Sequence, residues 1–119
     1  MSMDKHYYVI AGYDLTNYKT EEYDEWKWTD QGESYLCYQR QGQIQLFDDP
    51  CSGQHLYFGY ILAAGDEYYF ETEKFNMIDV QDAFDEVTWE LYQLQRAGVI
   101  NLKDKDVPVF QVIVFVEAR

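Results

Sequence analysis

The sequence predicts an α+β fold: a mostly antiparallel sheet of about five or six strands with one long amphipathic helix, residues 79–97, packed on one face. Short runs rich in β-branched and aromatic residues recur along the chain between turn residues, a pattern typical of hairpins. One later segment has the apolar spacing of a helix. The 119 residues fit one domain, which we expect to span residues 1–119, and the apolar fraction of 47% can form a core without metals or disulfides.

The first strand is expected at residues 6–13, where the sequence HYYVIAGY combines β-branched and aromatic side chains. Residues 14–33 change character, with many acids and no clean period, and we interpret them as a long excursion from the sheet. A short helical turn is expected within it at residues 20–26, and Gly32 is interpreted as the end of the excursion.

Two hairpins are expected next. Residues 34–40 and 43–47 each alternate between two sets of side chains, and the Gln41-Gly42 pair between them predicts a hairpin turn. Residues 55–64 are apolar enough for a central strand. Residues 67–72 are expected to return beside it after a turn at Gly65-Asp66.

The long helix has recognisable ends, with Asp79 as a predicted N-cap and Gly98 just beyond the C-terminus. Its apolar residues fall within about a third of the helix circumference. They are Val80, Ala83, Phe84, Val87, Leu91 and Leu94. After Pro108, residues 109–116 read VFQVIVFV, and so continuous an apolar run predicts a buried central strand.

The charge is strongly acidic and unevenly placed. There are 22 Asp and Glu against 9 Lys and Arg, a formal net charge of −13, which argues against direct binding to nucleic-acid phosphates. Residues 14–33 hold seven acids and two lysines, and residues 66–90 hold nine acids and one lysine, so these two segments account for the whole net charge. The 12 Tyr, 7 Phe and 3 Trp exclude a disordered acidic tail.

All three tryptophans lie within these acidic segments. Helical spacing places Trp89 on the acidic side of the helix, so it is either packed beneath the excursion or offered to a partner; the same alternatives hold for Trp26 and Trp28. Tryptophan is enriched at interface hot spots. The candidate partner-binding residues are Glu21, Glu22, Asp24, Glu25, Trp26, Trp28, Asp82, Asp85, Glu86, Trp89 and Glu90.

The sequence contains no recognisable catalytic or metal motif. The two acids before Cys51 would raise its thiol pKa, so the nearby pair Cys51 and His55 is interpreted as structural. The Cys and His spacings do not fit zinc, and no EF-hand or Gly-rich phosphate loop occurs. We therefore expect a non-enzymatic protein without catalytic residues, metal or cofactor, although an enzyme using paired acids in a cleft stays an alternative.

Cellular location and assembly are expected from equally simple features. No membrane-length apolar run or secretory signal is visible, and Cys37 and Cys51 are interpreted as reduced thiols rather than as a disulfide. A cytoplasmic protein without membrane contact is the expectation. Monomer and homodimer both stay open, since Gly65 and the last strand permit edge pairing.

In size and charge the chain resembles the small acidic inhibitors of phages and mobile elements, including anti-CRISPR proteins and DNA mimics. The resemblance is one of class, because those proteins share no common fold. It implies a binding protein whose acidic face docks on the basic, nucleic-acid-binding surface of a protein partner and blocks it. The alternative is an intracellular accessory or regulatory subunit whose acidic surface serves solubility.

Overall fold

The computed structural model describes residues 5–36, 43–48, 55–66, 77–103 and 108–118, and it has an α+β architecture. The elements in chain order are β1 (Lys5–Asp14), α1 (Tyr23–Trp26), α2 (Asp30–Leu36), β2 (Ile44–Asp48), β3 (Leu56–Asp66), α3 (Met77–Arg96) and β4 (Gln111–Ala118). The four strands form one antiparallel sheet in the order β2-β3-β1-β4. The predicted fold class is confirmed, and the predicted five or six strands are matched only in part.

The main core lies between the sheet and the helices on one of its faces. The long helix α3 packs on β1 and β3, and α2 packs on β2. The sheet contributes Tyr13, Leu46 and Phe58, and α3 contributes a stripe that includes Val87 and Leu91. The predicted packing of the long amphipathic helix on one sheet face is therefore confirmed.

The predicted strand at residues 34–40 is wrong where the structure describes it, because residues 34–36 belong to helix α2. The Thr29 hydroxyl caps this helix by accepting a hydrogen bond from the Gly32 amide at 3.1 Å, and the Glu33 amide donates to the Thr29 carbonyl at 2.8 Å. Gly32 lies inside the helix rather than ending a loop. A Cβ there would sit 2.2 Å from the Trp26 carbonyl oxygen, so only glycine permits this approach.

The strand predicted at residues 43–47 is confirmed as β2, but its neighbour is different. In the part of the chain that the structure describes, β2 pairs with β3, with Leu46 opposite Phe58, instead of with residues 34–40. The second predicted hairpin strand, residues 67–72, lies outside the described residues. So do Cys37 and Cys51 and hence the question of their pairing.

The long helix begins earlier than predicted and ends where expected. Because α3 starts at Met77, Asp79 lies in its first turn and is not the N-cap. At the other end Gly98 has a φ of 83°, the left-handed conformation that glycine adopts readily. The Val99 amide donates to the Leu94 carbonyl at 3.3 Å and the Gly98 amide to the Gln95 carbonyl at 3.0 Å, which is a Schellman ending.

The prediction of a buried central position for the last strand is wrong. Within the residues that the structure describes, strand β4 lies at the edge of the sheet, beside β1, and Val112, Val114 and Val116 are exposed. An apolar run indicates that a segment favours a strand. Its position in the sheet depends also on which other strands pair with each other, and the run itself does not encode this. Strand β1 occupies the interior position instead, between β3 and β4.

Candidate protein-binding surface

The first group of candidate residues surrounds the single turn of α1. Tyr23 and Trp26 are buried in the core, and residues three apart share one side of a helix. The two positions between them and the two positions before Tyr23 then face outward, and all four are acids. The exposed carboxylates are those of Glu21, Glu22, Asp24 and Glu25.

The structure separates the two tryptophans of this segment. Trp26 is only 9% exposed, and its ring centroid lies 5.8 Å from that of Tyr35, so it belongs to the core. Trp28 is 74% exposed, with Lys27 Nζ 5.6 Å from its ring centroid. Of this pair, only Trp28 is available to a partner.

The two lysines of the segment contact its interior side. Lys27 Nζ lies 3.7 Å from an Asp24 carboxylate oxygen and 3.6 Å from one of Asp48, and both Lys19 and Lys27 approach the ring of Tyr23. Burial, followed by the nearby Asp48 carboxylate that its hydroxyl contacts, raises the pKa of Tyr23 far above its ordinary value. Lys27 thus offsets part of the charge of Asp24 and Asp48, and both lysines lie near the ring of Tyr23.

The second group of candidate residues lies on α3. Its buried side is formed by Ala83, Val87, Leu91 and Leu94. The helical period places Asp82, Asp85 and Trp89 on the opposite side, and all three are exposed, as is Glu86 on the flank. Trp89 is 62% exposed, so the excursion does not cover it.

Glu90 joins the two acidic segments. The Tyr35 hydroxyl donates a hydrogen bond to a Glu90 carboxylate oxygen at 2.6 Å, which connects α2 to α3. The Tyr35 ring also contacts Trp26 and Phe58, so one buried residue links α1, α3 and the sheet. Glu90 lies far from the first turn of α3, where the helix macrodipole favours acids, and its bond to Tyr35 accounts for an acid at this position.

A second attachment holds the start of the excursion against the end of α3. The Thr20 amide donates to the Val99 carbonyl at 3.0 Å, and Lys19 forms a β-bridge with Ile100. The exposed acids and tryptophans are therefore carried by elements fixed to each other. We call these exposed side chains, together with the half-buried Glu90, the acidic surface, which comprises Glu21, Glu22, Asp24, Glu25, Trp28, Asp82, Asp85, Glu86, Trp89 and Glu90.

The other flank of α3 is apolar, a feature that sequence reasoning did not identify. It borders a half-open pocket of about 410 Å³, whose described lining includes Tyr13, Phe84, Tyr92 and Phe110 and no carboxylate. Phe84 and Tyr92 are themselves exposed. Phe84 was expected among the core residues of the helix, but it is exposed. Its place at one margin of the apolar stripe was the sequence feature that could have indicated this exposure.

Aromatic side chains also cover the sheet face away from α3. His55 stacks on Tyr57 with ring centroids 4.4 Å apart, and Phe115 packs edge-on against both rings. His55 Nε2 lies 3.6 Å from an oxygen of Glu117, whose side chain is almost fully buried. His55 thus has a carboxylate neighbour from β4, which sequence proximity to Cys51 did not indicate.

Comparisons of the chain with protein-family models, with curated proteins and with solved structures found no match. Among the described residues, no group of three or more His, Cys, Asp or Glu side chains is arranged to hold a metal ion. None of the described helices combines the length and apolar character needed to cross a bilayer.

Proposed function

We propose that this protein is a non-enzymatic binding protein whose acidic surface docks on a basic, nucleic-acid-binding surface of a protein partner and blocks it. Its action would be that of a DNA mimic, in the manner of the acidic inhibitors of phages, anti-CRISPR proteins among them. Carboxylates held on a folded surface can occupy the positions that phosphates would take in the partner's site. Nucleic acid and the protein then compete for the same lysines and arginines.

One observation carries the proposal: the hydroxyl of Tyr35, two residues beyond the first acidic segment, bonds to Glu90 of the second segment, which lies 55 positions later in the chain. Mimicry needs charges with fixed spacing, since a mobile acidic tail gives attraction without a defined geometry. The bond and the attachment of Thr20 to Val99 supply such fixation.

The exposed tryptophans give the acidic surface apolar anchors, which charged side chains alone do not provide. Rim charges mainly accelerate association and set its salt dependence, whereas desolvated aromatic anchors dominate the binding free energy. Trp89 shares α3 with the exposed carboxylates of Asp82, Asp85 and Glu86, and Trp28 lies in the turn that follows the exposed acids of α1. We expect them to bury against the partner while the surrounding acids meet its cations.

A displacement assay tests this function. A labelled DNA duplex is bound to each of a panel of purified basic DNA- and RNA-binding proteins, and fluorescence anisotropy reports its release as the chain is added. For a partner in the panel, the affinity between the two proteins, measured directly without nucleic acid, should fall roughly tenfold when salt rises from about 50 to 200 mM. The proposal would be contradicted if the chain bound one or more proteins of the panel but displaced nucleic acid from none of them.

Matched aromatic variants separate the proposal from the accessory-subunit alternative. Trp89→Ala should weaken binding by at least about tenfold, a typical hot-spot loss. Tyr92→Ala is the control, because Tyr92 is also exposed on α3 but faces the pocket side. Binding that depends on Trp89, is insensitive to salt and leaves the partner's nucleic acid bound would favour the accessory-subunit function.

A further inference from the structure

The edge strand β4 has an unusual composition for a solvent-facing edge. Natural proteins protect such edges with lysine, proline or bulges, since the free backbone groups of an edge pair readily with another strand. From Gln111 to Ala118 the strand carries one charge, that of Glu117, and that side chain is buried. In the described part of the chain β4 has a neighbour on one side only, which is β1.

Three valines form a row along this edge. Val112, Val114 and Val116 alternate along β4 and therefore share one sheet face. The register places Val112 opposite Ala11, which puts the row on the same face as α3. All three are nevertheless exposed, Val114 to 74%, because α3 packs over β1 and β3.

We propose that β4 pairs with β4 of a second copy of this chain, antiparallel and about a two-fold axis next to Val114. This register places Val114 opposite its own copy and Val112 opposite Val116. On the other face it places Ile113 opposite Phe115, and at the ends Gln111 meets Glu117. Every exposed valine of β4 then has a valine across the new strand pair, so the edge is complementary to itself.

The charge distribution favours a second copy at this edge, even though each chain carries a formal charge of −13. The acidic surface is on α1, α3 and the residues beside them. Near one end of β4 the sheet register instead places a base, Lys5, opposite Ala118. The only charged side chain of β4, that of Glu117, is buried, so pairing of β4 with β4 opposes no exposed carboxylates across the new strand pair. Added salt should strengthen this association by screening the repulsion that remains.

The same geometry limits growth to a pair. An isologous contact uses the same edge on both chains and leaves neither β4 free. The opposite sheet edge is β2, only five residues long and packed beneath α2. A contact between the two β4 edges would thus join two four-stranded sheets into one of eight strands.

Sedimentation of the full chain with one matched pair of variants tests the proposal. At about 100 μM, high enough for weak association to be seen by mass action, the wild type should sediment at twice its 14.2 kDa mass, more completely at high salt. Val114→Lys places two like charges at the axis and should sediment as a monomer with an unchanged circular dichroism spectrum. Val109→Lys adds the same charge at a residue that is 72% exposed but precedes the strand, and it should stay dimeric.

Cross-linking tests the register. With both native cysteines replaced by serine, Val114→Cys should form an intermolecular disulfide, because opposed residues of an antiparallel pair have Cα atoms about 4.5–5.5 Å apart. Val109→Cys should not. A monomeric wild type, equal dimerisation of the two lysine variants, or a dimer that cross-links no better through residue 114 than through residue 109 would overturn the proposal.

This pairing and the proposed function are independent in the experiments. Dimerisation strengthens with salt, whereas binding to a basic partner weakens with it. Val114→Lys should leave displacement of nucleic acid intact per chain, because residue 114 is not part of the acidic surface. Failure of one proposal would therefore leave the result for the other unchanged.

Discussion

Buried tyrosines connect the elements of this small domain through their hydroxyl groups. Tyr13 bonds to Thr88 at 2.8 Å and thereby ties β1 to α3, while Tyr23 bonds to Asp48 and Tyr35 to Glu90. Each ring contributes apolar area to the core and each hydroxyl finds a polar partner, which is how buried tyrosine is normally accommodated. The aromatic content therefore serves tertiary structure before it serves any interface.

Tyr35→Phe tests the tie between the two acidic segments. The change keeps the ring against Trp26 and removes the bond to Glu90, so we expect the free energy of unfolding to fall by about 1 kcal/mol, since Glu90 is half-buried and water can partly replace the hydroxyl. Urea denaturation at one fixed protein concentration measures it.

Tyr92→Phe is the control for that substitution, because it removes a hydroxyl from an exposed ring and should change stability by less than about 0.5 kcal/mol. A double-mutant cycle with Glu90→Gln should show coupling between residues 35 and 90. Equal stability of the two phenylalanine variants would show that the bond contributes nothing.

Among the elements, the segments with a clear hydrophobic period could be predicted from the sequence. A helix that depends on one capping side chain, and a strand whose position depends on which other strand pairs with it, could not. Strands β1, β2 and β3 and helix α3 follow from alternation or from the helical period. Helix α2 was missed because Tyr35 and its neighbours also alternate, and the cap that decides for a helix is one hydroxyl, that of Thr29. The edge position of β4 depends on which strand pairs with β1, and no local pattern encodes that.

Gly32→Ala tests the close approach of α2 to α1. Alanine favours a helix over glycine by about 1 kcal/mol, yet here its Cβ would lie 2.2 Å from the Trp26 carbonyl oxygen and 2.7 Å from the Lys27 Cα. We expect a net loss of about 1–3 kcal/mol in the free energy of unfolding, as overpacking usually costs.

Ser34→Ala is the matched variant in the same helix, because Ser34 is exposed. Its free energy of unfolding should stay within about 0.5 kcal/mol of the wild-type value. A Gly32→Ala protein more stable than the wild type in thermal and urea unfolding would mean that α2 does not pack on α1 as described.

For the whole molecule, the sequence shows which segments hold the acidic residues but not how those segments lie relative to each other in the fold. The two acidic segments and the placement of Asp82, Asp85 and Trp89 on the acidic side of the helix could be read from composition and the helical period, whereas the exposure of Trp89 could not. The burial of Trp26 and the link through Tyr35 could not, because they depend on contacts between distant segments. We therefore expect binding to a basic partner to depend on where the charge lies on the surface, with the total amount of charge secondary.

Two variants of equal net charge test that claim most directly in the displacement assay. One neutralises the α3 part of the acidic surface (Asp82→Asn, Asp85→Asn, Glu86→Gln), and the other adds three lysines at exposed sites away from it (Ala64→Lys, Val109→Lys, Gln111→Lys). Both raise the formal charge by three units. The neutralised variant should need at least about tenfold more protein to release the nucleic acid, while the lysine variant should stay within about threefold of wild type. Equal shifts in the two variants, or none in either, would contradict the claim.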